Sequence, residues 1–350
     1  GLVERESALG LARELQMALS APFSIDGHDV FVTASVGCVH VPGGLDGADR
    51  PGPEEVLVEL RATAVNRADL LQRMGLYPGP PMPHEIPGLE FAGTVVAVGE
   101  RVRDRAVGDQ VMGIVGGGSY AERLAMHERQ TMRVPVGVDL LDAAAIPEVA
   151  ITAYDALVLQ GDLGAGGWAL VHAGASGVGS AAIQLATAIG ARVVATCSST
   201  KVHACRELGA QVVVDHTGSD FVEAVRGATG GVGVDVVLDV VAGDYVARNL
   251  QACRVGGTIV QVGIIRGGSA EVPVAMLLTK RIRWVGTVLR SRPIEEKIAI
   301  ARRCEHDLIP LYESGALRPV VDRVYPLDEV AAAHEYLASN ANVGKVLLEL

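Results

Sequence analysis

Apolar positions Leu11, Leu15, Ala18 and Leu19 recur at helical spacing and predict one amphipathic helix early in the chain, which Ala21-Pro22 ends. A β-rich run follows, from Val30-Phe31-Val32-Thr33 to Val39-His40-Val41, and then Pro42-Gly43-Gly44 and Pro51-Gly52-Pro53 bracket a loop. Residues 54–150 are mostly β in pattern, with short strands over 56–60, 93–99 and 110–113 between Gly and Pro signals. The stretch from Tyr77 to Pro83 carries too many prolines for regular structure.

From about residue 151 the pattern changes to alternating strands and helices. Strands are expected over 169–172, 192–196, 211–214, 234–238 and 258–262. A helix is expected over 180–189, with Gly190 as the residue just past its end. The strands are Val-rich without polar alternation, which fits a parallel sheet covered on both faces. The expected fold class is therefore α/β.

Composition narrows the partners. Thirty Lys and Arg against 41 Asp and Glu give the 350-residue chain a net charge of −11, which argues against nucleic acid or an anionic membrane as the main partner. No apolar run reaches the roughly 18–20 residues of a membrane span. The first residues, Gly1-Leu2-Val3-Glu4-Arg5-Glu6, lack the basic-then-apolar order of a signal peptide. The cysteines, Cys38, Cys197, Cys205, Cys253 and Cys304, are odd in number, scattered, and form no C-x-x-C pair. A zinc lobe or disulfide framework is not expected, and a reducing, cytoplasmic setting is.

Candidate chemistry begins at the strand that ends near His172. It runs into Ala173-Gly174-Ala175-Ser176-Gly177-Val178-Gly179 and then a helix. Glycines at such a turn let backbone amides approach a pyrophosphate at the positive end of the helix. The spacing is G-x-x-G-x-G, so strand before, helix after and a second strand in step carry the reading. The alternative is a tight turn with no ligand. At the end of the second strand, NAD-binding chains place an acid for the ribose 2′-hydroxyl. Here the residues are Thr196-Cys197-Ser198-Ser199-Thr200-Lys201, three hydroxyls and an ammonium that suit a 2′-phosphate. NADPH is the expected cofactor; otherwise Lys201 is an ordinary solvated side chain.

These residues, with several further motifs, resemble the zinc-independent quinone oxidoreductases of the medium-chain dehydrogenase/reductase superfamily, of the p53-inducible type. The matching stretches within 54–350 are Val65-Asn66-Arg67-Ala68-Asp69-Leu70-Leu71-Gln72-Arg73, Gly88-Leu89-Glu90-Phe91-Ala92-Gly93, Ala143-Ala144-Ala145-Ile146-Pro147-Glu148, the glycine turn, Val288-Leu289-Arg290-Ser291-Arg292, and Asn342-Val343-Gly344-Lys345-Val346-Leu347-Leu348-Glu349-Leu350. The resemblance implies a GroES-like, mostly-β catalytic domain over 49–150 and 288–350. It implies an NADP-binding Rossmann domain over 151–287, homodimers through the Rossmann domains, and quinone reduction by NADPH without metal. Related alcohol dehydrogenases have a zinc-ligating Cys where this chain has Asn66 and a His where it has Leu89, so no metal site is expected. By position, Asn66, Tyr154, Gly174, Ser176, Gly177, Val178, Gly179, Ser198, Ser199, Lys201, Gly263, Leu289, Arg290 and Ser291 would line the cofactor. His216 stands where many relatives have a Tyr at the adenosine end.

Asn66 and Tyr77 are the catalytic candidates, as donors to the quinone oxygen on which charge develops. For Asn66 the competing role is a turn-capping amide, and for Tyr77 a loop anchor. Two other functions compete: a 2-enoyl or enone reductase using the same hydride, and a non-catalytic NADPH-binding protein. Residues 1–48 depart from the family. Leu11-Ala12-Arg13-Glu14-Leu15 to Phe31-Val32-Thr33-Ala34-Ser35-Val36-Gly37 is similar to the closing helix and strands of a GGDEF diguanylate cyclase domain, without that family's signature turn. Alternatively, residues 30–41 replace the missing first hairpin of the GroES-like domain.

Overall fold

The computed structural model describes residues 23–25, 28–30, 50–77 and 86–350. The chain divides into two compact units, Gly1–Arg50 and Pro51–Leu350. In the first, β1 (Phe23–Ile25) pairs antiparallel with β2 (His28–Val30). The hairpin thus begins before the run that the apolar pattern marked. The expected helix around Leu11–Leu19 and the run after Val30 lie outside the described residues.

The second unit holds two sheets. The mixed sheet takes β3 (Glu55–Val65), β4 (Glu90–Val98), β5 (Gln110–Ile114), β6 (Arg123–His127) and β7 (Thr131–Arg133) from the first part of the chain. The parallel sheet follows with β8 (Trp168–Val171), β9 (Arg192–Cys197), β10 (Val212–Asp215), β11 (Val234–Asp239), β12 (Cys253–Gln261) and β13 (Arg283–Gly286). The chain then returns to the mixed sheet with β14 (Val321–Pro326) and β15 (Lys345–Glu349). The mixed sheet runs β14-β15-β3-β4-β5-β7, with β6 also on β3. These are the GroES-like and Rossmann folds that the resemblance implied.

The parallel order is β10-β9-β8-β11-β12-β13. Connections reverse direction between β8 and β11, and the crevice beyond the C-terminal strand ends at such a point is where dinucleotides bind in this architecture. Burial on both faces explains the Val-rich strands. On β8, Ala169 and Val171 join one hydrophobic cluster and Leu170 the other; on β11, Val236 and Leu238 face the first and Val237 the second. Strand boundaries match the pattern to within a few residues, with two exceptions. β3 extends to Val65 and β12 begins at Cys253.

The helix after the glycine turn spans Gly177–Ala188, three residues earlier than the apolar spacing marked. Its start is set by the Ser176 side chain, which accepts the Gly179 amide at 3.1 Å as an N-cap. Its end is set by Gly190 at φ 81°. The Gly190 amide donates to Thr187 O at 3.0 Å and the Ala191 amide to Ala186 O at 2.8 Å, a Schellman closure that only a left-handed residue permits cheaply. Among the described residues, no helix is long and apolar enough to cross a membrane.

Candidate active site

The glycine turn packs against its surroundings at closer than side-chain distance. A Cβ on Gly174 would lie 2.9 Å from the Ala195 methyl on β9, and one on Gly179 would lie 2.3 Å from Ala173 O. A Cβ on Gly177 would meet Lys345 Cδ at 2.7 Å and Val149 Cγ1 at 2.9 Å. Ala173 takes φ 52° to make the bend. The result is a helix whose first amides, those of Gly177 and Val178, have no intrahelical carbonyl to bind. They point their positive end at the crevice, which fits a dinucleotide pyrophosphate. The chain just before β15 closes on this turn, with the Gly344 amide donating to Ala175 O at 2.9 Å.

To one side lie the residues that follow β9. Ser198 is partly exposed, and Ser199 and Thr200 are exposed. Lys201 is not freely solvated: its ammonium donates to Asn340 O at 2.7 Å and Asn342 O at 2.6 Å, and partial burial lowers its pKa. Those two bonds leave one ammonium donor and fix where it points. The His216 amide donates to Cys197 O at 3.1 Å, which sets this exposed residue beside Ser198 at the same strand edge. Gly263 follows β12, and a Cβ there would lie 2.9 Å from Val240 O, so the backbone after β12 closely approaches the backbone after β11.

The other side is built by the mixed sheet. Asn66 is the N-cap of helix Arg67–Arg73, where Asp69 accepts its backbone amide, and its side chain reaches into the sheet. Asn66 Nδ2 donates to Glu90 Oε1 at 2.9 Å, while Asn66 Oδ1 accepts from Lys345 Nζ at 2.6 Å. Lys345 and Glu90 form an ion pair at 2.7 Å, with side chains only 4% and 0% exposed. Glu90 Oε2 accepts the Glu148 amide at 2.8 Å. The Asp69 carboxylate accepts the Asn66 amide at 2.7 Å and the Tyr120 hydroxyl at 3.2 Å, and burial raises its pKa to about 6. Lys345 therefore joins the two halves of the site, because its stem rests on Gly177 and its ammonium on Asn66.

Tyr77 and the 289–291 segment meet through Arg290. This guanidinium donates to Tyr77 O at 2.6 Å and to Gly116 O at 2.8 Å, and lies 5.1 Å above the Tyr77 ring. Burial, followed by the Glu148 charge, pushes the Tyr77 phenol up to about 12. Leu289 is buried and Ser291 exposed. Nearby, Thr287 Oγ1 and Arg292 Nη2 both donate to Asp155 Oδ2, at 2.6 and 2.7 Å, and pin the return of the chain. Tyr154 is buried, and its hydroxyl donates to Asp307 and accepts from Arg303 Nε at 3.1 Å. Its polar end is thus engaged by helix Ile294–Glu313.

Glu90, Lys345 and Glu148 stood in the matching motifs but were not singled out as site residues. The sequence signal was a charge next to a fully apolar run: Lys345 before Val346-Leu347-Leu348, and Glu90 before Phe91-Ala92. A charge at such a position needs a buried partner. Among the described residues, no group of three or more His, Cys, Asp or Glu is arranged to hold a metal ion.

The alcohol dehydrogenase GroES-like domain model matches residues 52–136, and the zinc-binding dehydrogenase model matches residues 177–303. The rat synaptic vesicle membrane protein VAT-1 homolog is 34% identical over 314 residues, covering 85% of this chain and 77% of the relative. The chain belongs to the medium-chain dehydrogenase/reductase superfamily, quinone oxidoreductase type. Within that superfamily, it is similar to the Escherichia coli quinone oxidoreductase complexed with NADPH, at 29% identity and TM-score 0.77, covering 89% of this chain and 95% of that one. It is also similar to the JamJ enoyl reductase, at 26% identity and TM-score 0.77, covering 92% and 95%. The superfamily assignment makes the chain an oxidoreductase with an NAD(P)-binding fold.

Proposed function

We propose that the chain is an NADPH-dependent quinone oxidoreductase that works without a metal. The observation that carries the cofactor preference is Lys201, held by two loop carbonyls at the end of β9 beside Ser198 and Ser199, with no carboxylate on that stretch. Bound NADPH supplies a hydride. The chain's own residues bind its pyrophosphate at Gly177 and Val178, its 2′-phosphate at Ser198, Ser199 and Lys201, and its adenosine beside His216. Asn66 and Tyr77 donate hydrogen bonds to the substrate oxygen, Asn66 by giving up the longer of its two amide bonds, that to Ala64 O at 3.3 Å, and keeping that to Glu90. A Tyr77 phenol at about 12 keeps its proton throughout the neutral range and so remains a donor. Quinone as substrate is supported by the likeness to the Escherichia coli enzyme, and the absence of metal by Asn66 and Leu89 at the positions of zinc ligands.

The likeness to an enoyl reductase supports a second reading, in which the same hydride goes to a C=C bond conjugated to a carbonyl. Initial rates of NADPH and NADH oxidation against a panel of benzoquinones, naphthoquinones and enones separate the two. Quinone-dependent oxidation with a preference for NADPH is expected. Faster turnover of enones moves the assignment to the second reading, and no acceptor-dependent oxidation removes both.

A homodimer through the Rossmann domain belongs to the same proposal. β13 is an edge strand of the parallel sheet, Trp284 on it is 40% exposed, and nearby in sequence Leu278 is 71% exposed. Such an edge invites pairing with a second copy. A sedimentation coefficient of a monomer at micromolar concentration would discard it. A cytoplasmic setting is supported by Cys197, Cys205, Cys253 and Cys304, all buried free thiols.

A further inference from the structure

Three carboxyl groups act on one another here, and the two that are bonded to Asn66 are fully engaged. Glu90 uses Oε1 for Asn66 and Lys345, and Oε2 for the Glu148 amide. Asp69 uses Oδ2 for the Asn66 amide and the Tyr120 hydroxyl, and Oδ1 for the Gly88 amide at 3.2 Å. The third is Glu148, in the first turn of helix Pro147–Tyr154. Its carboxyl makes no hydrogen bond or ion pair with the described residues, although its backbone amide is tied to Glu90.

Glu148 is only partly buried, yet it is flanked by charge. The charged groups that act on it are Glu90 on β4, Lys345 on β15, Asp69 on helix Arg67–Arg73 and Lys297 on helix Ile294–Glu313. The Tyr77 phenol, under Arg290, lies close enough to feel its charge. Burial, then the Glu90 and Asp69 charges, outweigh the two lysines and push the carboxyl up to about 8. The start of its helix also borders the dinucleotide turn. Val149, its neighbour in sequence, and Lys345 both abut Gly177, where the dinucleotide turn meets the Asn66 cluster.

We propose that Glu148 is the acid that delivers a proton to the substrate oxygen while the substrate receives its hydride. The proposal rests on the reductase reading above. The substrate gains two electrons and one hydrogen as hydride, and negative charge develops on its oxygen. The O–H bond of the Glu148 carboxyl breaks, its electron pair stays on Glu148 as a carboxylate, and the proton forms the new O–H bond of the hydroquinone. Water returns a proton to Glu148 before the next turnover. Each cycle therefore consumes one NADPH, one quinone and one proton. Lys345 and Glu90 are positioning residues here: they hold Asn66 and fix the Glu148 backbone.

The test uses Glu148→Gln and Glu148→Asp in the full chain. In the ligand-free protein, infrared titration of the protonated-carboxyl band should show one group lost with a midpoint near 8, a step missing from Glu148→Gln. With NADPH and a benzoquinone, kcat of the wild type should fall above that pH. Glu148→Gln should lose about 100-fold in kcat and the falling limb with it, while NADPH affinity stays within about twofold and Glu148→Asp recovers part of the rate. A Glu148→Gln enzyme with wild-type kcat and an unchanged limb overturns the proposal while leaving the reductase reading intact. So does a carboxyl step that persists in Glu148→Gln. Failure of the wild type to oxidise NADPH with any quinone or enone overturns that reading and this proposal together.

Discussion

The two ends of the proposed cofactor groove are built on opposite plans. The adenosine end is local: Ser198, Ser199, Thr200 and Lys201 follow one strand without a break, largely exposed, and His216 lies one strand over. The nicotinamide end is assembled from afar. Asn66, Glu90, Glu148 and Lys345 come from separate segments, and the ion pair among them is closed to solvent. The first end should tolerate substitution and change only which cofactor binds. The second should lose both fold and chemistry when Asn66, Glu90 or Lys345 is removed, because each of these three satisfies another in a region with little water.

Substitutions can break this contrast. The largest effect is expected at Lys345→Met, which leaves Glu90 buried beside Asn66 without its counter-charge. The loss should be about 3–5 kcal/mol in urea unfolding, as for other broken buried pairs. A loss below about 1 kcal/mol would show that water reaches Glu90 and that the two ends are not so different. Next is Asn66→Ala. It removes the Lys345 acceptor and one proposed donor to the substrate, and should cut kcat about 100-fold, with Tyr77→Phe lowering it less. Unchanged steady-state rates for both would take them out of the mechanism. Lys201→Ala should raise the NADPH dissociation constant about tenfold, equivalent to about 1.4 kcal/mol, and leave NADH within about twofold by fluorescence titration. Equal losses for the two cofactors would mean that Lys201 only ties down the 340–342 loop.

The smallest expected effect sharpens the electrostatics. Glu148 keeps its proton in the folded chain up to about 8 but ionises from its ordinary value of 4.5 when unfolded. Between those values the folded state binds the extra proton, so this residue subtracts stability as pH rises, and the loss is complete above about 8. Glu148→Gln should therefore match the wild-type Tm near pH 4.5 and exceed it near pH 9. A higher wild-type Tm at pH 9 would mean that the carboxylate is stabilised there by Lys345 or Lys297.

The contrast also explains what could be seen in the chain beforehand. The glycine turn, its strand and Lys201 are contiguous, and a fixed spacing carried their meaning. The parallel strands were visible because burial on two faces removes polar residues altogether. The Glu90–Lys345 pair depends on the register of β3 against β4 and β15, where Val346 lies opposite Val65 and Thr63 opposite Phe91. No local pattern encodes that register. Tyr154 illustrates the same limit. Its place in the family order suggested the cofactor, yet its hydroxyl direction depends on Asp307 and Arg303, far along the chain.

β15 lies between β14 and β3, so an inner strand of the mixed sheet, one in from the β14 edge, is made long after its partner β3. Lys345 is 280 residues beyond Val65, whose carbonyl it reaches. On the ribosome, β3 to β7 must therefore wait with the end of β3 from Ala62 to Val65 lacking its β15 partner and Glu90 uncompensated while the Rossmann strands are synthesised and able to fold. The order of synthesis makes the parallel domain the first folded body and the reactive end of the groove the last part to form. A nascent chain stalled before β15 would carry the cofactor fold and no working site.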